Sequence, residues 1–200
     1  MKQVINHSFI LLLLSAFMGH SIAQDKKLQY DIIRKGSVIG TITFDQRNKD
    51  NKSFLVFRSD VKTTFIFSVT DHCDESAVFD CGIMRYSAYY QKHNGNTKIR
   101  ETLQCGNQYK LTDNNASKLV TVEPIRFNML SLYCTVPLNV TKVYSDNYQQ
   151  LLDLEKVDDN RYRLILPDGN YNYYNYSEGV CCKVDIERTL FTLHFVLKNK

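Results

Sequence analysis

The densest group of side chains capable of ligand or catalytic chemistry is the run Asp71-His72-Cys73-Asp74-Glu75. Carboxylate, imidazole and thiolate groups all bind zinc, but a zinc site needs about four of them converging on one point. Neighbouring residues in a strand or turn point in different directions, so the run would need ligands from elsewhere in the chain. We therefore expect a polar turn beside a disulfide at this run, with no metal and no cofactor.

A thiol nucleophile would need a cysteine with a lowered pKa and a nearby base, for which His72, His93 and His194 are the candidates. No known local signature joins a cysteine to one of these histidines. The adjacent pair Cys181-Cys182 also lacks the Cys-x-x-Cys spacing of thiol redox enzymes. The sequence therefore predicts no catalytic residue.

Two pairs of adjacent carboxylates, Asp74-Glu75 and Asp158-Asp159, have the residue types used in acid and base catalysis. Glycosidases hold their two carboxyl groups roughly 5 to 9.5 Å apart across a cleft, and adjacency in sequence does not set that distance. We predict solvated turns at both pairs. The Gly-x-Ser-x-Gly elbow, the phosphate-binding glycine loop and the His-Glu-x-x-His motif are missing from the sequence.

Tyrosines dominate the run Asn170-Tyr171-Asn172-Tyr173-Tyr174-Asn175-Tyr176. Tyrosine has an apolar face and a polar tip, so this run could form a platform for sugar or lipid head groups. Alternatively, it is an ordinary strand in which the doubled Tyr173-Tyr174 marks a β-bulge. We favour the strand.

Six cysteines follow the first 23 residues, and their even number in an exported chain favours up to three disulfides. They are Cys73, Cys81, Cys105, Cys134, Cys181 and Cys182. Cys73 and Cys81 flank a short polar segment and form the simplest local bridge. On a strand, Cys182 would share a face with Val180 and Val184, and Cys181 would point the other way. The alternative is that some of the cysteines are small buried apolar residues.

From Leu28 onward, short segments of alternating apolar and polar residues are separated by turn residues such as Lys35-Gly36 and Asn94-Gly95. The last third, from about residue 162, predicts a four-strand meander. One segment differs: after Pro124, apolar residues recur every three or four positions, which predicts a short helix near 125–133. We therefore expect a mainly β fold, a curved antiparallel half-barrel or barrel of roughly ten strands, plugged by this helix.

The N-terminus has the layout of a secretory signal peptide, with Lys2, an apolar run from Phe9 to Met18, and Ser21-Ile22-Ala23 before the expected cleavage site. Residues 24–200 then suit one β-rich domain, located in the periplasm or outside the cell. The formal net charge of +4 is too mild to predict nucleic-acid binding. No later segment is long and apolar enough to be an integral membrane segment.

Three stretches carry a resemblance to a known family. They are the hairpin from Tyr30 to Gly40, the block from Arg161 to Gly169, and Glu178-Gly179-Val180-Cys181 with Val184-Asp185-Ile186. Over residues 28–198 the chain resembles an uncharacterised family of exported Gram-negative proteins. The resemblance implies a domain of unknown function with a curved antiparallel sheet, similar to lipocalins or to the periplasmic lipoprotein carriers. It implies no catalytic residues.

Three hypotheses of function follow. In the first, the protein is not an enzyme and binds an apolar or amphipathic, lipid-like small molecule on the concave face of the sheet. In the second, its own side chains fill that face, and the protein is a structural or interaction module of the cell envelope. In the third, it is a hydrolase or thiol enzyme whose site is assembled from distant residues.

Overall fold

The structure, a computed structural model, describes residues 24–64, 68–188 and 191–198; the predicted signal peptide lies outside these residues. Almost the whole described chain is β-strand, with one four-residue helix, α1 (Ser131–Cys134). The strands are β1 (Lys26–Arg34), β2 (Ser37–Lys49), β3 (Lys52–Thr64), β4 (Ser68–Asp80), β5 (Ile83–His93), β6 (Asn96–Cys105), β7 (Gln108–Asp113), β8 (Ala116–Val120), β9 (Lys142–Ser145), β10 (Gln150–Asp158), β11 (Arg161–Ile165), β12 (Tyr171–Ser177), β13 (Val180–Arg188) and β14 (Phe191–Leu197).

The strands form one antiparallel sheet in the order β8-β7-β6-β5-β4-β3-β2-β1-β14-β13-β12-β11-β10-β9. Strands β1 to β8 are one meander and β9 to β14 are another. The two meanders join where β1 pairs with β14, with Tyr30 opposite Leu197. The sheet is not closed, because β8 and β9 are its two edges.

Tight turns explain why the chain reverses so often. Four of the connections consist of two residues that both have positive φ, which is the geometry of the hairpin turn that matches the twist of paired strands. They are Lys35-Gly36, Cys81-Gly82, Asn94-Gly95 and Glu178-Gly179. Glycine takes the second of the two positions each time, because it has no side chain to oppose a positive φ.

The inward face of the curved sheet holds the hydrophobic core, and α1 fills its centre. The Tyr133 ring lies 5.5 Å from Tyr30, 5.7 Å from Phe44 and 5.3 Å from Phe57, measured between ring centroids. The neighbouring Leu132 is fully buried, and its carbonyl accepts a hydrogen bond of 2.9 Å from the Tyr176 hydroxyl. This segment therefore ties the two meanders together from the inside.

Two sequence-based predictions need correction. The sheet has fourteen strands in the described residues rather than roughly ten; β9 and β10 are not among the predicted strands, and β4 runs through residues predicted as a turn. The helix covers only Ser131–Cys134; the preceding residues are irregular, with an isolated bridge from Asn128 to Tyr144 and a turn at 129–130. Met84 N–H donates to the Ile125 carbonyl at 2.8 Å, and Met129 N–H donates to the Tyr144 carbonyl at 2.9 Å. These bonds to strands replace the bonds that a longer helix would have made.

The four-strand meander predicted for the last third is present as β11 to β14.

No helix among the residues that the structure describes is long and apolar enough to span a bilayer.

Candidate functional site

The run Asp71-His72-Cys73-Asp74-Glu75 lies inside β4, so the turn predicted for it is wrong. Its side chains alternate across the sheet. Cys73 and Glu75 point into the core, whereas His72 and Asp74 lie on the outer face. No group of three or more His, Cys, Asp or Glu side chains that could hold a metal ion exists among the described residues.

The three candidate histidines each contact carboxylates, and none has a thiol among its hydrogen-bond partners in the described part of the chain. His72 lies 2.7 Å from Asp60 and 3.0 Å from Asp74. His93 lies 2.9 Å from Asp71, and His194 lies 2.6 Å from Asp185. Hydrogen bonds to Asp60 and Asp74 raise the pKa of the exposed His72. In the described part of the chain, the hydrogen-bond partners of His72 are thus two carboxylates, which makes this group a surface polar cluster.

All six cysteines are free thiols in the structure. A local bridge between Cys73 and Cys81 is wrong, because β4 extends between them and separates them by about 25 Å, beyond the roughly 7 Å that a disulfide can span. Burial raises the pKa of the Cys73, Cys134 and Cys181 thiols. A raised pKa leaves them protonated and unreactive. Disulfides among the remaining cysteines stay a prediction.

The predicted faces of Cys181 and Cys182 are reversed. A register shift between Asn175 and Tyr176 in β12 places a β-bulge at these cysteines. The extra residue changes the alternation, so Cys181 is fully buried on the same side as Val184, and Cys182 is only half-buried. The sequence predicts a bulge at the doubled Tyr173-Tyr174, but the register shifts at Asn175 and Tyr176, and the extra residue is Cys182 of β13.

The tyrosine run forms β12, as favoured, with Tyr174 and Tyr176 buried in the core. Tyr171 and Tyr173 lie on the outer face, where arginines of β11 stack on them. The Arg161 guanidinium lies 4.4 Å from the Tyr173 ring centroid, and that of Arg163 lies 4.9 Å from the Tyr171 ring centroid. The other half of the run therefore forms an aromatic and cationic outer surface.

The two carboxylate pairs have different surroundings. Asp158 ends β10 and Asp159 is highly exposed beside Lys156, which fits the predicted solvated turn. Asp74 and Glu75 lie on opposite faces of β4, so they cannot act on one substrate together.

A buried carboxyl pair exists that sequence reasoning missed. The carboxyl groups of Glu75 and Asp146 are within hydrogen-bonding reach of each other in the core. Asp146 also accepts hydrogen bonds from the Ser87 hydroxyl and, at 3.3 Å, from the Asn128 amide. Burial and the neighbouring Asp146 raise the pKa of Glu75, and burial raises that of Asp146. The pair joins β4, β5, the segment before α1 and the β9–β10 turn.

The inward face of the sheet is accessible to solvent at one of its ends. We call it the open end; the turns Lys35-Gly36, Asn94-Gly95 and Asn114-Asn115 lie there. Along β3, the inward residues Leu55 and Phe57 are buried, whereas Val61, nearer the open end, is half-buried. Along β6, Thr102 is buried, whereas Arg100 and Lys98 are half-buried. Along both strands, the inward side chains thus become more exposed towards the open end.

The accessible inward surface has an apolar wall and a cationic wall. Four half-buried side chains form the apolar wall: Val61, Ile186, Leu193 and Phe195. Register places Val184 opposite Phe195 and Ile186 opposite Leu193, and Val184 is buried in the core, so this wall faces inward.

The cationic wall consists of Lys98 and Arg100, two positions apart on β6 and therefore on one face. Arg100 pairs with Asp113 at 2.7 Å and donates to the Asn147 carbonyl. Both walls lie on the inward face of the same sheet, the apolar wall on β3, β13 and β14 and the cationic wall on β6.

The fold is similar to that of a solved protein, the β-barrel-like protein of domain of unknown function DUF1849 from Brucella abortus. The similarity has a TM-score of 0.59 at 7% sequence identity and covers 86% of this chain and 95% of that one. The fold thus defines the class as an open, β-barrel-like protein built on one antiparallel sheet. The model of the domain of unknown function DUF6134 matches residues 30–198, and the chain belongs to that family. No curated protein matches it.

Proposed function

We propose that the protein is a non-enzymatic, exported binding protein that holds an amphipathic small molecule at the open end of its sheet. The observation that carries the proposal is the change along the inward face from buried to half-buried side chains. At the accessible end, apolar residues stand on one side and cations on the other. A ligand with an apolar chain and a polar head matches such a surface.

The apolar wall supplies the free energy of binding. Its four side chains are held in place by paired strands, so a ligand meets a surface that is already ordered and little conformational entropy is lost. Covering one of these side chains removes apolar area from water at about 25 cal/mol per Å². A single acyl chain lying along Ile186, Leu193 and Phe195 would gain several such contributions.

The proposal is tested first on material from the native source. Native mass spectrometry of the protein purified from its own envelope fraction is compared with the denatured mass. We expect an excess mass that is lost on denaturation and that is identified as an amphiphile. Recovery from a compartment other than the envelope would contradict the export part of the proposal.

A matched pair of variants tests the location of the ligand. Leu193→Asp places a charge on the apolar wall, and Thr192→Asp places the same charge on the outer face of the same strand. We expect the first to weaken binding of a dansyl-labelled fatty acid by about tenfold or more, because an apolar contact of about 1.5 kcal/mol or more is lost. The second should leave binding unchanged. Equal affinities for both variants would place the ligand elsewhere.

A second candidate, an interaction module, is favoured by the edge strand β8. This strand is only five residues long and is exposed along most of its length. Its Leu119 is 59% exposed, and the outward Leu103 of β6 is 44% exposed. An exposed edge with apolar neighbours is a surface on which another chain can add a strand. Cross-linking in intact cells from a photoreactive residue at position 119 distinguishes this function, since it would capture a protein partner at that edge.

A further inference from the structure

Lys98 is a half-buried cation without a carboxylate partner among the described residues. Its ammonium group donates to the Asn147 side-chain oxygen at 2.7 Å and lies 6.0 Å from the centre of the Tyr89 ring. Both partners are neutral. Burial and the nearby Arg100 lower the pKa of Lys98, whereas Asp113 acts in the opposite direction. The charge is thus only partly compensated by its surroundings.

Arg100 extends this positive surface towards the core. Its side chain is 17% exposed and pairs with Asp113, whose own side chain is 44% exposed. The Nε atom of Arg100 is buried and has no hydrogen-bond partner among the described residues. Asp113 therefore pairs with Arg100 and only partly offsets the charge of Lys98.

The β9–β10 turn holds both cations in position. The side chain of Asn147 accepts from Lys98 and its carbonyl accepts from Arg100. The same turn is anchored in the core, because Asp146 binds Ser87 and Asn128, and Gln149 donates at 3.0 Å to the Glu101 and Thr112 carbonyls. The cations are consequently preorganised, which lowers the cost of binding an anion between them.

We infer that Lys98 and Arg100 form a subsite for the anionic head, a phosphate or carboxylate, of an amphiphile whose chain lies on the apolar wall. This inference rests on the proposed function and adds the charge of the ligand to it. An ammonium and a guanidinium side by side both donate strong hydrogen bonds to such oxygens. A neutral head gains none of this stabilisation.

Two amphiphiles with the same chain test the inference: dodecyl phosphate and dodecyl maltoside, each titrated calorimetrically below its micelle concentration. Lys98→Met removes the charge and keeps the apolar stem, Lys98→Arg retains the charge, and Lys92→Met is the control on the outer face of β5. We expect Lys98→Met to lose about tenfold or more in affinity for dodecyl phosphate. Its affinity for dodecyl maltoside should stay within about twofold, which also shows that the variant is folded. The Lys98→Arg and Lys92→Met variants should bind like the unaltered protein.

The possible outcomes separate the two proposals. Equal binding of both amphiphiles, or an unchanged affinity of Lys98→Met for dodecyl phosphate, overturns the anionic subsite and leaves the proposed function standing. Binding of inorganic phosphate as tight as that of dodecyl phosphate assigns the cations to a free anion and overturns the inference. Failure of both amphiphiles to bind overturns the proposed function and the subsite with it.

Discussion

At the scale of single residues, Glu75 and Asp146 show how the protein accommodates charge in its core. Two carboxylates in contact inside a protein repel each other and lose their hydration, so the folded protein keeps a proton on the pair. The proton allows one carboxyl to donate to the other, while Ser87 and Asn128 donate to Asp146. The result is a buried polar contact that links four segments of the chain inside the core.

The buried carboxyl pair of Glu75 and Asp146 predicts that the stability of the protein depends on pH. The pKa of Glu75 in the folded protein is well above its ordinary value of 4.5, so above that pH the folded state binds more protons than the unfolded state. The free energy of unfolding therefore falls as the pH rises through and above this value. Glu75→Gln, whose amide can donate to Asp146 without a shared proton, should reduce the fall. Urea unfolding at pH 5 and pH 8 measures it.

The control for this prediction is Glu123→Gln, at an exposed position outside the strands. It should keep the pH dependence of the unaltered protein. If Glu75→Gln showed the same difference between pH 5 and pH 8 as the control, the shared proton would not be the source of the dependence.

A second prediction at this scale concerns Gly40, where β2 and β3 approach closely. A Cβ atom at this position would lie 2.3 Å from the Asp60 carbonyl oxygen and 3.0 Å from the Val61 Cα atom. Both are backbone atoms, which cannot move aside without distorting the ladder. Gly40→Ala should therefore lower the free energy of unfolding by about 1 to 3 kcal/mol, as measured by urea denaturation. Ser37→Ala, at an exposed position of the same strand, should change it by less than about 0.5 kcal/mol; similar losses in both would argue against the steric cause.

At the scale of elements, the sequence predicted best where turn chemistry is strong. Strands β11 to β14 were expected close to their observed bounds, because Pro167-Asp168-Gly169-Asn170 and Glu178-Gly179 mark the reversals. The sequence predicts a turn at the polar run in β4, because polar residues occupy both its outward and its inward positions and hide the alternation. Its inward Glu75 lies beside Asp146 of the β9–β10 turn, and no local sequence pattern connects the two. The sequence does not predict the open end either, because its position depends on which inward side chains remain accessible to solvent in the folded protein.

Because α1 fills the core, two leucines of the segment between β8 and β9 should contribute very differently to the free energy of unfolding. Leu132 is fully buried beneath the sheet, whereas Leu138 is 69% exposed. Leu132→Ala should lower the free energy of unfolding by about 2 to 5 kcal/mol, because it leaves a cavity that strands cannot close. Leu138→Ala should cost less than about 0.5 kcal/mol. Thermal and urea unfolding of the two variants check this, and equal losses would mean that α1 does not fill the core.

At the scale of the whole molecule, the sheet ends at β8 and β9 without pairing between them. The edge at β9 is partly covered, because Tyr144 N–H donates to the Phe127 carbonyl at 2.9 Å. Strand β8 pairs with β7 alone. Amide hydrogens of β8 should therefore exchange with solvent faster than those of the central strand β3, as hydrogen–deuterium exchange with mass spectrometry can measure. Equal protection of the two strands in the isolated protein would contradict an open edge at β8.

The pairing of β1 with β14 has a consequence for how the chain folds. Every other ladder in the sheet joins strands that follow each other along the chain, so each can form by local closure of a hairpin. The contact of Tyr30 with Leu197 instead closes a loop of more than 160 residues. Loop-closure entropy makes such a contact slow to form and rewarding only when both partners are already ordered. The two meanders are therefore expected to assemble separately and to join last, so the seam between β1 and β14 governs the overall folding rate.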